Sequence, residues 1–221
     1  MSFKNKFKMT SIALASAVAM GSMALPTVAS ADVSSSASIA SMYLWRGQNI
    51  SGGKPALSGD ITYTHSSGAY AFGWLSSEGS NSYETDLGLG YAGKAGSMDY
   101  DVSYYAYWYP TSSHEKLTDA GAEVVVALTF DPVTFKAYID AKKEYTYNYF
   151  TLSGSVGKFD MLVGMDSEKT SSDGYTHFDL SYNATDRLAF TYSQVISKGS
   201  TSTVSKDPLM MMSYSIPVDL K

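Results

Sequence analysis

Apolar and polar positions alternate with period two through most of the chain after residue 31. Thr85, Leu87, Leu89 and Tyr91 interleave with Glu84, Asp86, Gly88 and Gly90. Met98, Tyr100, Val102, Tyr104, Ala106 and Trp108 share one face, opposite Asp99, Asp101, Ser103, Tyr105 and Tyr107. Val124, Val126, Leu128 and Phe130 fall together, with Glu123 on the other side. Phe135, Ala137 and Ile139 oppose Lys136, Tyr138, Asp140 and Lys142, and Phe178, Leu180 and Tyr182 oppose His177, Asp179 and Ser181. Successive strand side chains point to opposite faces, so this pattern predicts strands with one apolar and one polar face. No stretch after residue 31 has apolar residues at the spacing of an amphipathic helix.

Twelve such segments are expected, near residues 35–45, 56–66, 69–76, 83–92, 98–109, 120–130, 134–143, 146–157, 159–166, 175–184, 187–197 and 208–220. Gly154 and Gly157 weaken the pattern in the eighth and ninth. In the last, Met210, Met212, Tyr214, Ile216, Val218 and Leu220 form one apolar stripe, and Pro217, lacking an N–H, belongs near the strand's end.

Connections alternate as well. Tight turns are expected at 66–68, 93–97, 131–133, 157–158 and 185–186, and longer polar loops at 46–55, 77–82, 110–119, 167–174 and 198–207. The short connection at 143–145 breaks the rule. Turns at one end and loops at the other are the mark of an all-β, transmembrane up-and-down antiparallel barrel of about twelve strands. Tyr43, Trp45, Trp74, Tyr91, Trp108, Tyr109, Phe130, Tyr145 and Tyr175 lie near strand ends, where aromatic rings form girdles at the membrane–water interfaces.

The segment before the barrel supports export. Lys4, Lys6 and Lys8 precede a short apolar run, and Ala29-Ser30-Ala31 supplies small residues for a signal peptidase. Residues 1–31 are thus expected to be a cleaved signal peptide and 32–221 the outer-membrane barrel domain. Cleavage would leave all 21 acids and 13 of the 16 Lys and Arg, so the net charge falls from −5 to 13 − 21 = −8. An acidic chain is a poor partner for nucleic acid, and the absence of cysteine rules out disulfides and thiolate metal sites.

The stretch Ser41-Met-Tyr-Leu-Trp-Arg-Gly-Gln-Asn-Ile50, followed by Pro55-Ala-Leu-Ser-Gly-Asp-Ile-Thr-Tyr63, carries a recognisable motif. With Tyr43, Arg46, Gly47, Pro55, Ala56, Leu57, Gly59, Tyr63 and His65 it resembles the opening of the TorF family of porin-like proteins from proteobacterial outer membranes. Gly73-Trp74, Glu84-x-Asp86 and Gly90-Tyr91 continue the match. The resemblance implies an outer-membrane barrel acting as a channel, without a defined substrate.

With lipid outside, the polar strand faces line the lumen. The pore-lining candidates are Arg46, at the mouth, with Asp60, Glu84, Asp86, Asp101, Glu123, Lys136, Asp140, Lys142 and Asp179. Acids outnumber bases among them, and carboxylate rings favour cations. A narrow passive pore for small solutes or ions is therefore the leading expectation. It needs no cofactor and no metal, and its expected partners are membrane lipid and the permeating solute. The oligomeric state is not legible.

Two other readings follow from the same residues. A non-conducting structural or adhesive barrel would use the Gly/Ser/Lys-rich loops 46–55 and 198–207, which look mobile, to bind a partner. A lipid hydrolase would need one of the three histidines, His65, His114 or His177. His177 shares its face with Asp179 and Ser181, but same-face neighbours lie about 7 Å apart, too far for direct hydrogen bonds along one strand. The expectation is no enzymatic activity.

Overall fold

The computed structural model describes residues 32–77, 83–110, 117, 121–142, 147–168, 172–218 and 220; the signal-peptide expectation lies outside them. Fourteen strands are formed among the described residues: β1 (Asp32–Ala40), β2 (Leu44–Trp45), β3 (Gln48–Asn49), β4 (Ala56–Thr64), β5 (Ala69–Ser77), β6 (Tyr83–Ala95), β7 (Met98–Trp108), β8 (Gly121–Phe130), β9 (Val133–Asp140), β10 (Tyr147–Val156), β11 (Phe159–Glu168), β12 (Tyr175–Asn183), β13 (Leu188–Lys198) and β14 (Leu209–Ile216). Twelve of them close an antiparallel barrel in sequential order, and β2 and β3 form a separate hairpin.

The barrel closes where β1 pairs with β14, from Ala37 opposite Ile216 to Ala40 opposite Ser213. Closure joins the first and last strands of the sheet, as a spanning barrel requires. Pro217 falls one residue past the end of β14, where its missing N–H costs no ladder bond. The uncertain eighth and ninth segments form a regular hairpin, paired from Tyr147–Glu168 to Val156–Phe159. Connections are two to four residues long at one end of the barrel and five to fifteen at the other.

The faces follow the alternation. Leu57, Leu89, Leu152 and Val156 point outward and are more than half exposed. Asp60, Glu84, Asp86, Asp101, Glu123, Asp140, Asp160, Asp166 and Asp179 all have the inward parity of their strands. In a bilayer a lysine or arginine on the lipid face would cost about 2–4 kcal/mol at mid-depth, and this sorting is the one such a placement requires.

The interior is divided. Tyr70, Phe72, Tyr105, Tyr107, Val125, Tyr138 and Tyr149 pack together against the walls of β5 to β10. Phe72 and Tyr70 lie across β6, where a Cβ on Gly88 or Gly90 would sit 2.2 or 2.4 Å from their rings. The opposite wall carries small polar side chains, among them Ser38, Ser58, Ser181, Thr191, Ser193 and Ser213.

Three sequence expectations need correction. The first segment, expected at 35–45, ends at Ala40, and the chain then turns into the barrel. The girdle assignment fails for Tyr43, Trp74 and Tyr175, which are buried inside, and for Tyr109, which bonds Glu84 in the interior. Trp74 has the parity of Tyr70 and Phe72, so closeness to a strand end was the weaker criterion. Tyr91 and Phe130 do point outward and Tyr145 lies outside the described residues. Lastly, the segment expected as a loop at 46–55 contains the turn and second strand of the β2–β3 hairpin, with Arg46 and Ser51 buried.

Candidate functional site: a hairpin seated inside the barrel

The hairpin has the shortest possible turn. Leu44 pairs with Asn49 and Trp45 with Gln48, leaving Arg46 and Gly47 as the two turn residues. Their φ angles are 47° and 78°, the two left-handed positions of a type I′ turn. Gly47 takes this conformation freely. Arg46 does not: a non-glycine residue held there costs on the order of 1–2 kcal/mol, so contacts elsewhere must hold it.

Those contacts come from the barrel wall. Nη2 of Arg46 donates to both carboxylate oxygens of Glu123, at 3.0 and 2.7 Å. The hydroxyl of Tyr107 donates to the same carboxylate at 2.6 Å. The guanidinium carbon lies 4.6 Å from the ring centre of Trp45, 5.1 Å from Tyr138 and 4.4 Å from Tyr149. Arg46 and Glu123 are only 3% and 1% exposed. A buried pair of this kind must overcome the desolvation of both charges, and the phenol and the rings supply the compensation.

The hairpin base and flank are seated as well. Tyr175 donates its hydroxyl to the Arg46 carbonyl at 2.9 Å and accepts from Gln48 Nε2 at 2.7 Å. Tyr43 donates its hydroxyl to Glu84 at 2.5 Å, and Tyr109 donates to the other oxygen of Glu84 at 2.7 Å. The Tyr43 N–H donates to Ser51 Oγ at 2.9 Å, fixing the turn back toward β4. Between hairpin and wall a small cavity remains, lined by Ser38, Tyr43, Leu44, Ser58, Trp74 and Met211 among others.

Beside the turn lies a buried polar chain. His177 Nδ1 is 3.0 Å from Asp179 Oδ1, its Nε2 is 2.7 Å from the Tyr149 hydroxyl, and Ser193 donates to Asp179 at 2.5 Å. Residue spacing alone argues against a direct His177–Asp179 bond. Strand side chains can lean along the strand direction, and the 3.0 Å separation shows that these two close the gap. A Cβ on Gly47 would meet His177 Cγ at 2.6 Å, and one on Gly164 would meet Nε2 at 2.2 Å. The two glycines let the histidine sit between hairpin and wall.

The candidate residues separate into three groups. Arg46, Glu84, Asp86, Glu123 and Asp179 gather at the hairpin level, each at most 3% exposed. Arg46 lies within the barrel wall, opposite the third residues from the long-loop ends of β8, β9 and β10. Asp60, at the middle of β4 and bonded by Ser36, and Asp101, nearer the tight-turn end of β7 and bonded by Tyr70 and Ser103, face the interior. Lys136 faces inward, half-buried, while Asp140 and exposed Lys142 stand at the long-loop end of β9. Of the motif residues, Tyr43, Arg46 and Gly47 build the hairpin. Pro55 is exposed just before β4, and Gly59 faces outward beside Ser36, whose carbonyl lies 3.2 Å from a Cβ placed there. Of the other histidines, His65 bonds Ser67 at an exposed tight turn and His114 lies outside the described residues.

Around the hairpin level the inward residues Ala56, Ser76, Glu84, Glu123, His177 and Met211 are each no more than 6% exposed. The inward hairpin went unseen in the sequence because Tyr43-Leu44-Trp45 reads as the apolar end of a strand. The available signal was Arg46-Gly47, a two-residue turn bracketed by short apolar and amide pairs.

Comparison with known proteins adds a family. Residues 26–186 match the family model described as "Bacterial protein of unknown function (Gcw_chp)". No curated protein matches the chain. Among solved structures, outer membrane phospholipase A from Escherichia coli is similar at 11% identity, covering 82% of this chain and 90% of that one with a TM-score of 0.44.

Proposed function

The chain belongs to the Gcw_chp family, whose description assigns no function, and from its geometry we propose a narrow, gated, cation-preferring channel of the bacterial outer membrane, closed by the β2–β3 hairpin in the form described here. The observation that carries this reading is the hairpin itself, a short two-stranded element separate from the barrel sheet and held across the lumen by Arg46 on Glu123. A two-stranded hairpin has little stability of its own. Its position therefore depends on the seat, and a buried ion pair contributes little net stability over its separated, hydrated charges. That combination is suited to a plug that leaves.

When the hairpin leaves, Glu84, Asp86, Glu123 and Asp179 become lumen carboxylates, joined by Asp60 and Asp101. Such a lining favours cations over anions. The apolar outer belt and the one-sided loops support membrane placement, and residues 1–31 supply the export signal of this reading. Small ions or solutes would pass, and membrane lipid would be the only standing partner. The reading contains no catalytic step, since Tyr149 already occupies the Nε2 of a fully buried His177.

The burial of the inward residues around the hairpin favours a second reading, a barrel whose plug never leaves and which serves as a structural or adhesive element. Planar-bilayer recording separates the two. Residues 32–221 are refolded as the native sequence and as a variant with 42–54 replaced by a Gly-Ser linker. The channel reading expects cation-preferring steps from both, rare in the native chain and sustained in the variant. A silent native chain beside a conducting variant would establish the permanent plug. Silence from both, with the barrel folded, would overturn the channel.

A further inference from the structure

Arg46 sits in a pocket made almost wholly by the barrel. Glu123 on β8 provides the carboxylate, Tyr107 on β7 holds that carboxylate with its hydroxyl, and Tyr138 on β9 and Tyr149 on β10 provide ring faces. The strands are neighbours in the sheet, and Tyr138 is directly opposite Tyr149 in register. Their rings lie 5.5 Å apart. Only Trp45, among the rings described above the guanidinium, travels with the hairpin. A carboxylate flanked by aromatic faces in a water-poor site is the arrangement that recognises organic cations. A planar, weakly hydrated guanidinium suits it better than a compact ammonium or a metal ion.

We propose that Tyr107, Glu123, Tyr138 and Tyr149 form a guanidinium-binding site in the lumen, occupied in the closed state by Arg46 as an internal ligand. The proposal rests on the gated reading for access to the site, since a ligand can enter only when the hairpin leaves. Small solutes bearing a guanidinium then compete with Arg46, and binding one holds the hairpin out. Arg46 both fills the site and sets the affinity a ligand must exceed.

The test measures binding, so it does not depend on current. The full mature chain carrying Arg46→Ala is refolded into detergent micelles and titrated with methylguanidinium chloride at low, non-denaturing concentrations, with ammonium and potassium chloride as controls. Calorimetry is expected to give saturable one-to-one binding of methylguanidinium, roughly tenfold or more tighter than of ammonium. Arg46→Ala/Glu123→Ala should lose it, and the native chain should bind more weakly because its own arginine competes. If Arg46→Ala fails to refold, the Gly-Ser linker variant, which keeps all four wall residues, takes the same titration. Equal responses to the three salts, or binding that survives loss of Glu123, would overturn the proposal. Binding in a barrel that never conducts would leave the site standing and remove the channel.

Discussion

Breaking the Arg46–Glu123 pair from one side should release the hairpin without dismantling the barrel. In Glu123→Ala, Arg46 is left with its charge in a buried site, among Trp45, Tyr138 and Tyr149 but with no acceptor at the position Glu123 occupied. Loss of one partner of a buried pair typically costs about 3–5 kcal/mol. The left-handed strain at Arg46 adds about 1–2 kcal/mol that the seat no longer offsets. Against this stand the remaining tethers, the Tyr175 and Gln48 bonds and the Tyr43–Glu84 bond, each worth about 0.5–1.5 kcal/mol net and more where charged. The two sides are comparable, so the hairpin is expected to be out of its seat in a substantial fraction of molecules. The barrel ladder, which shares no backbone pairing with the hairpin, should stay intact. Trp45 reports the change. In a Trp74→Phe/Trp108→Phe background its emission should shift to the red in Glu123→Ala, while heat-modifiable mobility on gels is unchanged. A second comparison controls for simple loss of charge: Arg46→Met/Glu123→Leu should reseat the hairpin, because a matched apolar pair avoids desolvation altogether. Unshifted Trp45 emission in Glu123→Ala would refute the claim that the ion pair holds the seat.

Other expectations follow from the same geometry. Gly164→Ala places a methyl group within 2.3 Å of the Tyr149 hydroxyl and His177 Nε2 and should destabilise the barrel by about 1–3 kcal/mol in urea unfolding, whereas Gly96→Asn at an open turn should cost little. Val126→Lys, at mid-strand on the outward face of β8, should cost about 2–4 kcal/mol in lipid, and its inward neighbour Val125 should tolerate threonine far better in the same assay. Asp60→Asn/Asp101→Asn should lower the cation-to-anion permeability ratio of the linker variant in asymmetric salt, with step frequency unchanged. Tyr149→Phe removes the bond to His177 Nε2 but keeps the ring over Arg46, so backbone amide exchange should speed up on β12 more than on the hairpin.

The barrel was legible because its physics is local. A strand with lipid on one side must alternate, and β6, β7, β8 and β12 could be read from parity alone. Strand number followed from the sorting of loops, since turns such as 131–132 and 157–158 can join only adjacent strands. Parity also placed Asp86, Glu123 and Asp179 inside. What the pattern could not give was the content of the interior. Tyr43 and Trp74 look the same in sequence whether they form a girdle or a core, and only Trp74's parity with Phe72 distinguishes them. The Arg46–Glu123 pair joins residues 77 positions apart through an element too short to have a period. The His177–Asp179 bond depends on how the two side chains lean, which no residue spacing reveals. Interior contacts across a lumen are long-range, and a single sequence carries no direct signal for them.

The central claim is that the Arg46 hairpin closes a channel and that its seat sets how often the channel opens. Open probability of the native chain and of Glu123→Ala, recorded at the same voltage and salt in planar bilayers, tests it most directly. The account predicts a higher open probability for Glu123→Ala with cation preference retained. Equal open probability in the two, with both barrels folded and inserted, would contradict it.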